Sequence, residues 1–176
     1  LELSDTNHPL LKELMNKAPG TFHHSLQVGN LSEAAANEIG ANALLCRTAA
    51  LYHDIGKMKR PYYFTENQSG QNEHDNIKPS MSAMIIKDHV TQGVQMAREH
   101  KLPQAIIDFI QTHHGTTLVS FFYKKAKETS ENPDEIKEES FRYDGPLPFS
   151  KETGIMMLAD TVEAASRSMK DPTYTK

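Results

Sequence analysis

The sequence has one cysteine, no tryptophan and no apolar run long enough to cross a membrane. The single cysteine, Cys46, lies in the apolar run 43–46, so no intrachain disulfide can form and a reducing compartment is expected. The net charge of −4 and the pI of about 6.1 argue against a protein that neutralises many phosphates of a nucleic acid polymer. These absences exclude a disulfide scaffold and a nucleic-acid-coating protein, but they leave room for a small anionic ligand.

A chain of 176 residues can bury a core without disulfides and fits one domain. We therefore expect a single domain over 1–176. The sequence starts with Leu1-Glu2-Leu3 and shows neither an initiator methionine nor a signal peptide pattern. This start predicts a domain excised from a larger protein, to which any membrane anchor would belong.

Histidine is the residue type that the sequence has in excess, with nine in 176 residues. It is the commonest metal ligand in proteins and the side chain that titrates near neutral pH. Chance explains part of this number, but the clustering of the histidines calls for a functional explanation.

Apolar residues recur at helical spacing along most of the chain, and no alternating pattern predicts a β-strand. Helices are predicted over 21–39, 43–54, from Pro79 through Met81 to Met96, from Leu102 to His114, over 117–127, and from Ser150 onward. The polar segment 57–78 is interpreted as an active-site loop, and the charged run 128–140 as a solvated excursion. The predicted class is all-α.

Five of these helices carry histidine or aspartate on the face predicted to be buried: His24, His53-Asp54, His89, His113-His114 and Asp160. Each has an ordinary explanation when taken singly. A lone inward histidine is more often a hydrogen-bonded core residue, a histidine at a helix C-terminus is favoured by the dipole, and Asp160 can pair with Arg167. As packing alone, however, the whole set would leave many buried polar groups without partners, which two metal ions would satisfy together.

The sequence contains two His-Asp pairs, so the pair alone means little. His74-Asp75 lies in the polar string 72–76 and is predicted to be a solvated loop. His53-Asp54 ends an apolar helix and is followed by Ile55-Gly56-Lys57, which predicts a carboxylate held near the core. Because a buried carboxylate needs a cation, this second context indicates a metal site.

The order of these motifs resembles the HD superfamily of metal-dependent phosphohydrolases over almost the whole chain. The matching motifs are His24-Ser25, His53-Asp54-Ile55-Gly56-Lys57, His89-Val90, His113-His114-Gly115-Thr116 and Leu158-Ala159-Asp160. The segments 60–68 and 158–167 further resemble the seven-transmembrane HD branch, the PgpH-type cyclic di-AMP phosphodiesterases. The chain departs from the family pattern at Tyr143-Asp144-Gly145-Pro146, where a proline is expected before the glycine. This departure affects a loop and no ligand.

The resemblance implies an HD-domain helical bundle with a buried binuclear metal site that holds iron or manganese. It implies a first site formed by His24, His53, Asp54 and Asp160, and a second formed by His89, His113 and His114, with the Asp54 carboxylate bridging. It also implies the cytoplasmic domain of a bacterial plasma-membrane protein whose transmembrane segments lie outside this sequence.

The activity implied is hydrolysis of cyclic di-AMP to linear 5′-pApA in second-messenger turnover, by attack of a metal-activated hydroxide on the phosphodiester. Asp54 and Lys57 are the predicted catalytic residues, with Lys57 stabilising charge on the attacked phosphate. The predicted substrate contacts are Lys57, Arg60, Tyr62, Tyr63 and Thr116, and adenine is expected to stack on Tyr62, Tyr63 or Phe64. The alternative for Lys57 is that it is an ordinary exposed lysine. The alternative for the aromatic residues is that they are part of the core.

Other functions remain open from the sequence. Cyclic di-GMP is an alternative substrate, although no Gly-Tyr-Pro signature follows His113-His114. A single-metal nucleotidase would need only the first site, so the second set of histidines argues for two metals. A module that senses a nucleotide without cleaving it, or that relays a signal to a partner through 128–140, is the alternative from another class.

Overall fold

Residues 2–169, the part of the chain that a computed structural model describes, form seven α-helices joined by loops and short 3₁₀ turns. The helices are α1 (Pro9–Lys17), α2 (Pro19–Glu38), α3 (Ala43–Tyr52), α4 (Pro79–Glu99), α5 (Gln104–Thr112), α6 (Ser120–Thr129) and α7 (Lys151–Ser168). Within 2–169, β-type pairing is limited to one isolated bridge between Leu118 and Arg142. The predicted all-α class is confirmed. No helix in this range is long and apolar enough to span a membrane.

The main core is built from apolar side chains of six helices, α1 to α5 and α7. It includes Cys46, which is buried as predicted, and burial raises the pKa of its thiol to about 11. A smaller apolar cluster joins α4 and α6 to the segment that ends at Phe141. The run 128–140 is largely exposed, as its charge predicted, and Ile136 within it is partly buried.

Two predicted helix ends differ from the observed ones. The helix predicted over 43–54 ends at Tyr52, with His53 as its C-terminal cap, and Asp54 lies outside it at the start of a 3₁₀ turn, Ile55–Lys59. The helix predicted over 117–127 starts at Ser120, because the backbone on either side of Leu118 bonds to the segment at Phe141 instead. By contrast, Ser150 caps α7 as predicted, in a capping box with Thr153.

Two sequence predictions about burial are wrong. Helical spacing predicts Met81 on the same buried face as His89, but Met81 is exposed and Ser82 takes its place on the buried face of α4. His74 was predicted to be solvated but is only 4% exposed. Its Nε2 is 2.8 Å from the carbonyl oxygen of Tyr63, and its ring lies 4.7 Å from that of Phe122, so it packs the 57–78 segment against α6.

A close backbone contact places Asp54 next to α4. A Cβ added at Gly56 would lie 1.8 Å from the carbonyl oxygen of His89, and one at Gly93 would lie 3.4 Å from the Gly56 nitrogen. Only glycine at position 56 allows the 3₁₀ turn to approach α4 this closely. The Ile55-Gly56-Lys57 motif is therefore the packing element that brings the His53-Asp54 pair beside His89.

Gly56→Ala should lower the free energy of unfolding by about 1–3 kcal/mol or more, because the backbones must separate to admit the methyl group. The matched control is Gly154→Ala in α7, where an added Cβ meets nothing within 4 Å. That change should be neutral or stabilising by about 0.5–1 kcal/mol. Urea unfolding of both variants measures the difference, and equal midpoints would refute the packing argument.

Candidate metal centre

Seven predicted metal-ligating side chains meet in one buried cluster at the centre of the bundle. The ligand atoms of His24, His53, Asp54 and Asp160, called here the first group, all lie within 4.8 Å of one another. The same holds for Asp54, His89, His113 and His114, the second group. Asp54 belongs to both groups, so the structure brings all seven residues together.

The carboxylate of Asp54 is divided between the two groups. Its Oδ2 lies 3.5 Å from His24 Nε2 and 3.4 Å from His53 Nε2, in the first group. Its Oδ1 lies 3.3 Å from His89 Nε2 and 3.4 Å from His113 Nε2, in the second. Each oxygen therefore faces two imidazole nitrogens of a different group.

Three of the histidines are oriented by the helix that carries them. The Nδ1 of His53 lies 2.6 Å from the carbonyl oxygen of Ala50, and the Nδ1 of His113 lies 2.8 Å from that of Ile110. The Nδ1 of His89 likewise bonds the carbonyl oxygen three residues earlier in its helix. His53 and His113 are the C-terminal caps of α3 and α5, where helix carbonyls lack partners within the helix. Because a carbonyl only accepts, each Nδ1 carries the proton and each Nε2 is directed at Asp54.

The cluster has the unmet bonding capacity of a cation site. His89 Nε2 and His113 Nε2 face each other at 3.2 Å, although the Nδ1 proton leaves each neutral ring a lone pair there. Asp54 Oδ1 and His53 Nε2 are buried without a hydrogen-bond partner. Such groups are costly when left alone. Imidazole nitrogen and carboxylate oxygen are ligands for divalent transition metals, so these residues fit a divalent metal centre.

The buried charges of the cluster shift the pKa values of its members in both directions. Burial opposes ionisation of Asp54, but Lys57 and His53 outweigh it and hold the carboxyl pKa well below its usual range. Burial lowers the pKa of both His113 and His114, which favours the neutral imidazole. The opposite holds for His53, where the carboxylates of the first group overcome burial and raise the pKa to about 10. The first group contains two carboxylates, Asp54 and Asp160, whereas the second contains only the shared Asp54.

Lys57 is part of the centre and is not an exposed lysine. Its Nζ lies 2.7 Å from Asp54 Oδ2 and 2.8 Å from Glu66 Oε1, and its side chain is 12% exposed. The ammonium also lies 5.0 Å from the ring centroid of Phe64. Burial opposes its charge, but the two carboxylates outweigh burial and keep the Lys57 pKa above its usual value. A permanent positive charge thus lies at the edge of the cluster.

The 57–78 segment is docked on the N-terminal end of α2 and is built of successive 3₁₀ turns. Glu66 Oε1 accepts a hydrogen bond from Thr21 Oγ1 at 3.0 Å, and Asn67 Oδ1 accepts one from the Thr21 nitrogen at 3.1 Å. A Cβ on Gly20 would lie 1.9 Å from the Glu66 carbonyl oxygen. This contact holds the partner of Lys57 in place.

Sequence reasoning missed three residues of the site. Glu163 bonds His24 Nδ1, Glu66 bonds Lys57, and the ring of Tyr143 stacks on His114 with centroids 4.3 Å apart. Helical spacing could have found Glu163, which lies one turn after Asp160 on α7. Glu66 and Tyr143 lie in irregular segments, where periodicity carries no information about direction.

Arg167 was an alternative partner for Asp160, and the structure contradicts that pairing. Asp160 Oδ1 lies 2.9 Å from His24 Nε2 and 3.6 Å from His53 Nε2. The guanidinium of Arg167 instead lies 3.6 Å from Glu163 Oε2, one turn earlier on α7. Asp160 is therefore turned into the cluster, away from the arginine.

The predicted substrate contacts other than Lys57 lie outside the cluster. Arg60 and Thr116 are exposed, and Tyr62 is 63% exposed. The ring of Tyr63 packs 5.1 Å from that of His74. Phe64, a candidate for base stacking, is buried 5.5 Å from the His89 ring and forms a wall of the site.

Comparison with known proteins agrees with this geometry. The family model described as "HD domain" matches residues 21–165. The chain is 54% identical over 173 residues to the cyclic-di-AMP phosphodiesterase PgpH of Bacillus subtilis (strain 168), covering 98% of this chain and 24% of that protein. It is 53% identical over 177 residues to PgpH of Listeria monocytogenes, covering 100% of this chain and 24% of that protein. The chain thus spans about a quarter of the length of these relatives.

A solved structure shares the fold as well as the sequence. The crystal structure of the HD domain of L. monocytogenes PgpH in complex with cyclic-di-AMP matches with a TM-score of 0.91 and 51% identity. The match covers 96% of this chain and 77% of that one. The arrangement of the helices around the cluster is therefore that of a known HD domain.

Added Mn²⁺ should raise the melting temperature of this protein, since a ligand at 100 times its Kd stabilises by about 2.7 kcal/mol per site. His24→Ala removes a first-group ligand atom and should reduce the Mn²⁺-dependent shift. His23→Ala is the matched control, because His23 is the exposed neighbour on the same helix. Differential scanning fluorimetry with and without chelator measures both shifts, and an undiminished shift in His24→Ala would contradict the assignment.

Proposed function

This chain belongs to the HD domain family, and we propose that it hydrolyses cyclic di-AMP to linear 5′-pApA with two divalent metal ions. The observation that carries the proposal is the Asp54 carboxylate, whose two oxygens face two separate groups of imidazole nitrogens. A single-metal nucleotidase has no need of the second group. Relatives named cyclic-di-AMP phosphodiesterase, and a solved relative in complex with cyclic-di-AMP, support the choice of substrate.

The proposed ligands are distributed between two ions. His24, His53 and Asp160 would hold one ion, His89, His113 and His114 would hold the other, and Asp54 would be shared. Two such ions supply Lewis acidity toward the phosphoryl oxygens and an activated water for hydrolysis. The mixed imidazole and carboxylate donors are compatible with iron or manganese, which we propose as the native metals.

Lys57 is the proposed catalytic cation. Its ammonium lies beside the shared carboxylate, and the bonds to Asp54 and Glu66 fix its direction while leaving its third donor for a phosphate. A fixed positive charge in a largely buried site stabilises the charge that develops on a phosphate during hydrolysis. The Phe64 ring limits the movement of the side chain on one side.

The substrate contacts outside the cluster are proposed because their side chains are accessible to solvent. The exposed ring of Tyr62 is available for stacking with adenine, as sequence analysis predicted. Arg60 is exposed three residues beyond Lys57 and is a second phosphate contact. Thr116 follows His114 on an exposed loop. Tyr63 is half-buried against the ring of His74 and is proposed to contact substrate with the part of its side chain that remains exposed.

We also propose that residues 1–176 are one HD phosphohydrolase domain, the cytoplasmic part of a larger bacterial plasma-membrane protein that turns over a second messenger. Residue 1 and residues 170–176 lie outside the described range. The support is that the relatives are about four times longer than this chain, which covers 24% of each.

Hydrolysis of cyclic di-AMP beside cyclic di-GMP by Mn²⁺-loaded protein tests the proposal. We expect metal-dependent release of pApA and its loss to background in Asp54→Asn, because both groups share that carboxylate. Asp75→Asn is the matched control, since it makes the same change in the other His-Asp pair, where Asp75 is exposed. Binding without turnover would favour the sensing module, and faster cleavage of cyclic di-GMP would favour the guanine substrate.

Lys57→Met should lower kcat by about 10²–10³-fold, the usual effect of removing one stabilising donor. Its metal content should remain two ions per chain, because Lys57 is not a proposed ligand. Lys59→Met, an exposed lysine on the same 3₁₀ turn, should keep wild-type kcat. Steady-state kinetics and metal analysis separate these effects, and an unchanged kcat in Lys57→Met would remove the lysine from the mechanism.

A further inference from the structure

His24 differs from three other histidines of the cluster in the partner of its outer nitrogen, the Nδ1 that is directed away from Asp54. In His53, His89 and His113, Nδ1 bonds a backbone carbonyl within the same helical segment. In His24, Nδ1 bonds the carboxylate of Glu163. One imidazole of the first group is therefore backed by a full negative charge, whereas these three are backed by neutral dipoles.

His24 takes this partner from a neighbouring helix. It is not the C-terminal cap of a helix, as His53 and His113 are, and its Nδ1 does not bond a carbonyl of its own helix, as that of His89 does. Its Nδ1 bonds a side chain of α7, which packs against α2. Asp160 and Glu163, one turn apart on α7, contact the ring on its two nitrogens.

Glu163 is held in place by its own surroundings. It is 8% exposed, and its Oε2 lies 3.6 Å from Arg167 Nη2. The other guanidinium nitrogen of Arg167 lies 3.9 Å from Glu66 Oε2, and Glu66 holds Lys57. Charges of alternating sign thus lead from the histidine ligand to the proposed catalytic lysine, which leaves the Glu163 carboxylate little freedom to move.

We propose that Glu163 is a positioning residue that raises the affinity of the first group for its metal ion relative to the second group. A carboxylate that accepts the outer N–H fixes the orientation of an imidazole and makes its other nitrogen a stronger donor, and loss of such a partner typically costs 10–100-fold in metal affinity. The inference rests on the ligands proposed above.

The two groups should then fill in order. The first group has two carboxylates, Asp54 and Asp160, and the added charge of Glu163 behind His24. The second group has three imidazoles and only the shared carboxylate. The first group is the more negative and binds the first divalent ion.

The test is a Mn²⁺ titration by isothermal calorimetry of wild-type protein, Glu163→Gln and Glu163→Ala. Wild type should bind two ions with unequal affinities. Glu163→Gln keeps an acceptor but loses the charge, so the tighter site should weaken about 10-fold, and Glu163→Ala should weaken it up to about 100-fold. The weaker site should keep its affinity in both variants. Glu131→Gln, the same change on the exposed 128–140 run, should match wild type.

Two results would overturn the inference itself, and a third would overturn the proposed function. Wild-type affinities at both sites in Glu163→Ala would overturn it. Equal weakening of both sites, together with a lower melting temperature in chelator, would show a merely structural role and would also overturn it. Fewer than two ions bound by wild type would instead overturn the proposed function on which the inference rests.

Discussion

The buried carboxylate of Asp54 is the charge on which the rest of this structure depends. An ionised carboxylate in an apolar bundle costs several kcal/mol unless cations or hydrogen bonds compensate it. Here it lies outside α3, immediately after the helix ends, with imidazoles on both oxygens and the ammonium of Lys57 on one. Helices that are far apart in the sequence therefore meet at this carboxylate, and they bring the side chains that compensate its charge.

Backbone geometry, more than side-chain choice, determines how the ligands reach that point. The ends of α3 and α5 supply carbonyls that hold His53 and His113. The backbone at Gly56 lies directly against α4, because glycine has no side chain that would keep the two apart. His24 is the exception, since it is oriented by a side chain of another helix. The first group therefore depends in part on the packing of α7, through His24 and Asp160, whereas His89 and His113 of the second group are held by carbonyls of their own helices.

The parts of this structure that sequence predicted are those where direction follows from periodicity. A helix fixes which way every third or fourth residue points, so the all-α class and the inward position of His24, His89 and Asp160 could be predicted. Periodicity was not sufficient even within a helix, as the exposed Met81 of α4 shows, and it gives no direction outside the helices. His74 follows polar neighbours yet is buried by contacts with Phe122, which is distant in sequence. Glu66 reaches Lys57 only because its 3₁₀ turn docks on α2.

The same division separates the chemistry from the choice of substrate. The groups that compensate Asp54 are buried and preorganised, so their residue types alone indicate metal-assisted hydrolysis. Tyr62, Arg60 and Thr116 are exposed and are directed by loops, and their types suit many ligands. An exposed ring can stack on any base, and a guanidinium can pair with the phosphate of any nucleotide. The proposed selectivity for adenine would therefore depend on how these loops are arranged around the ligand, which residue identity at single positions does not specify.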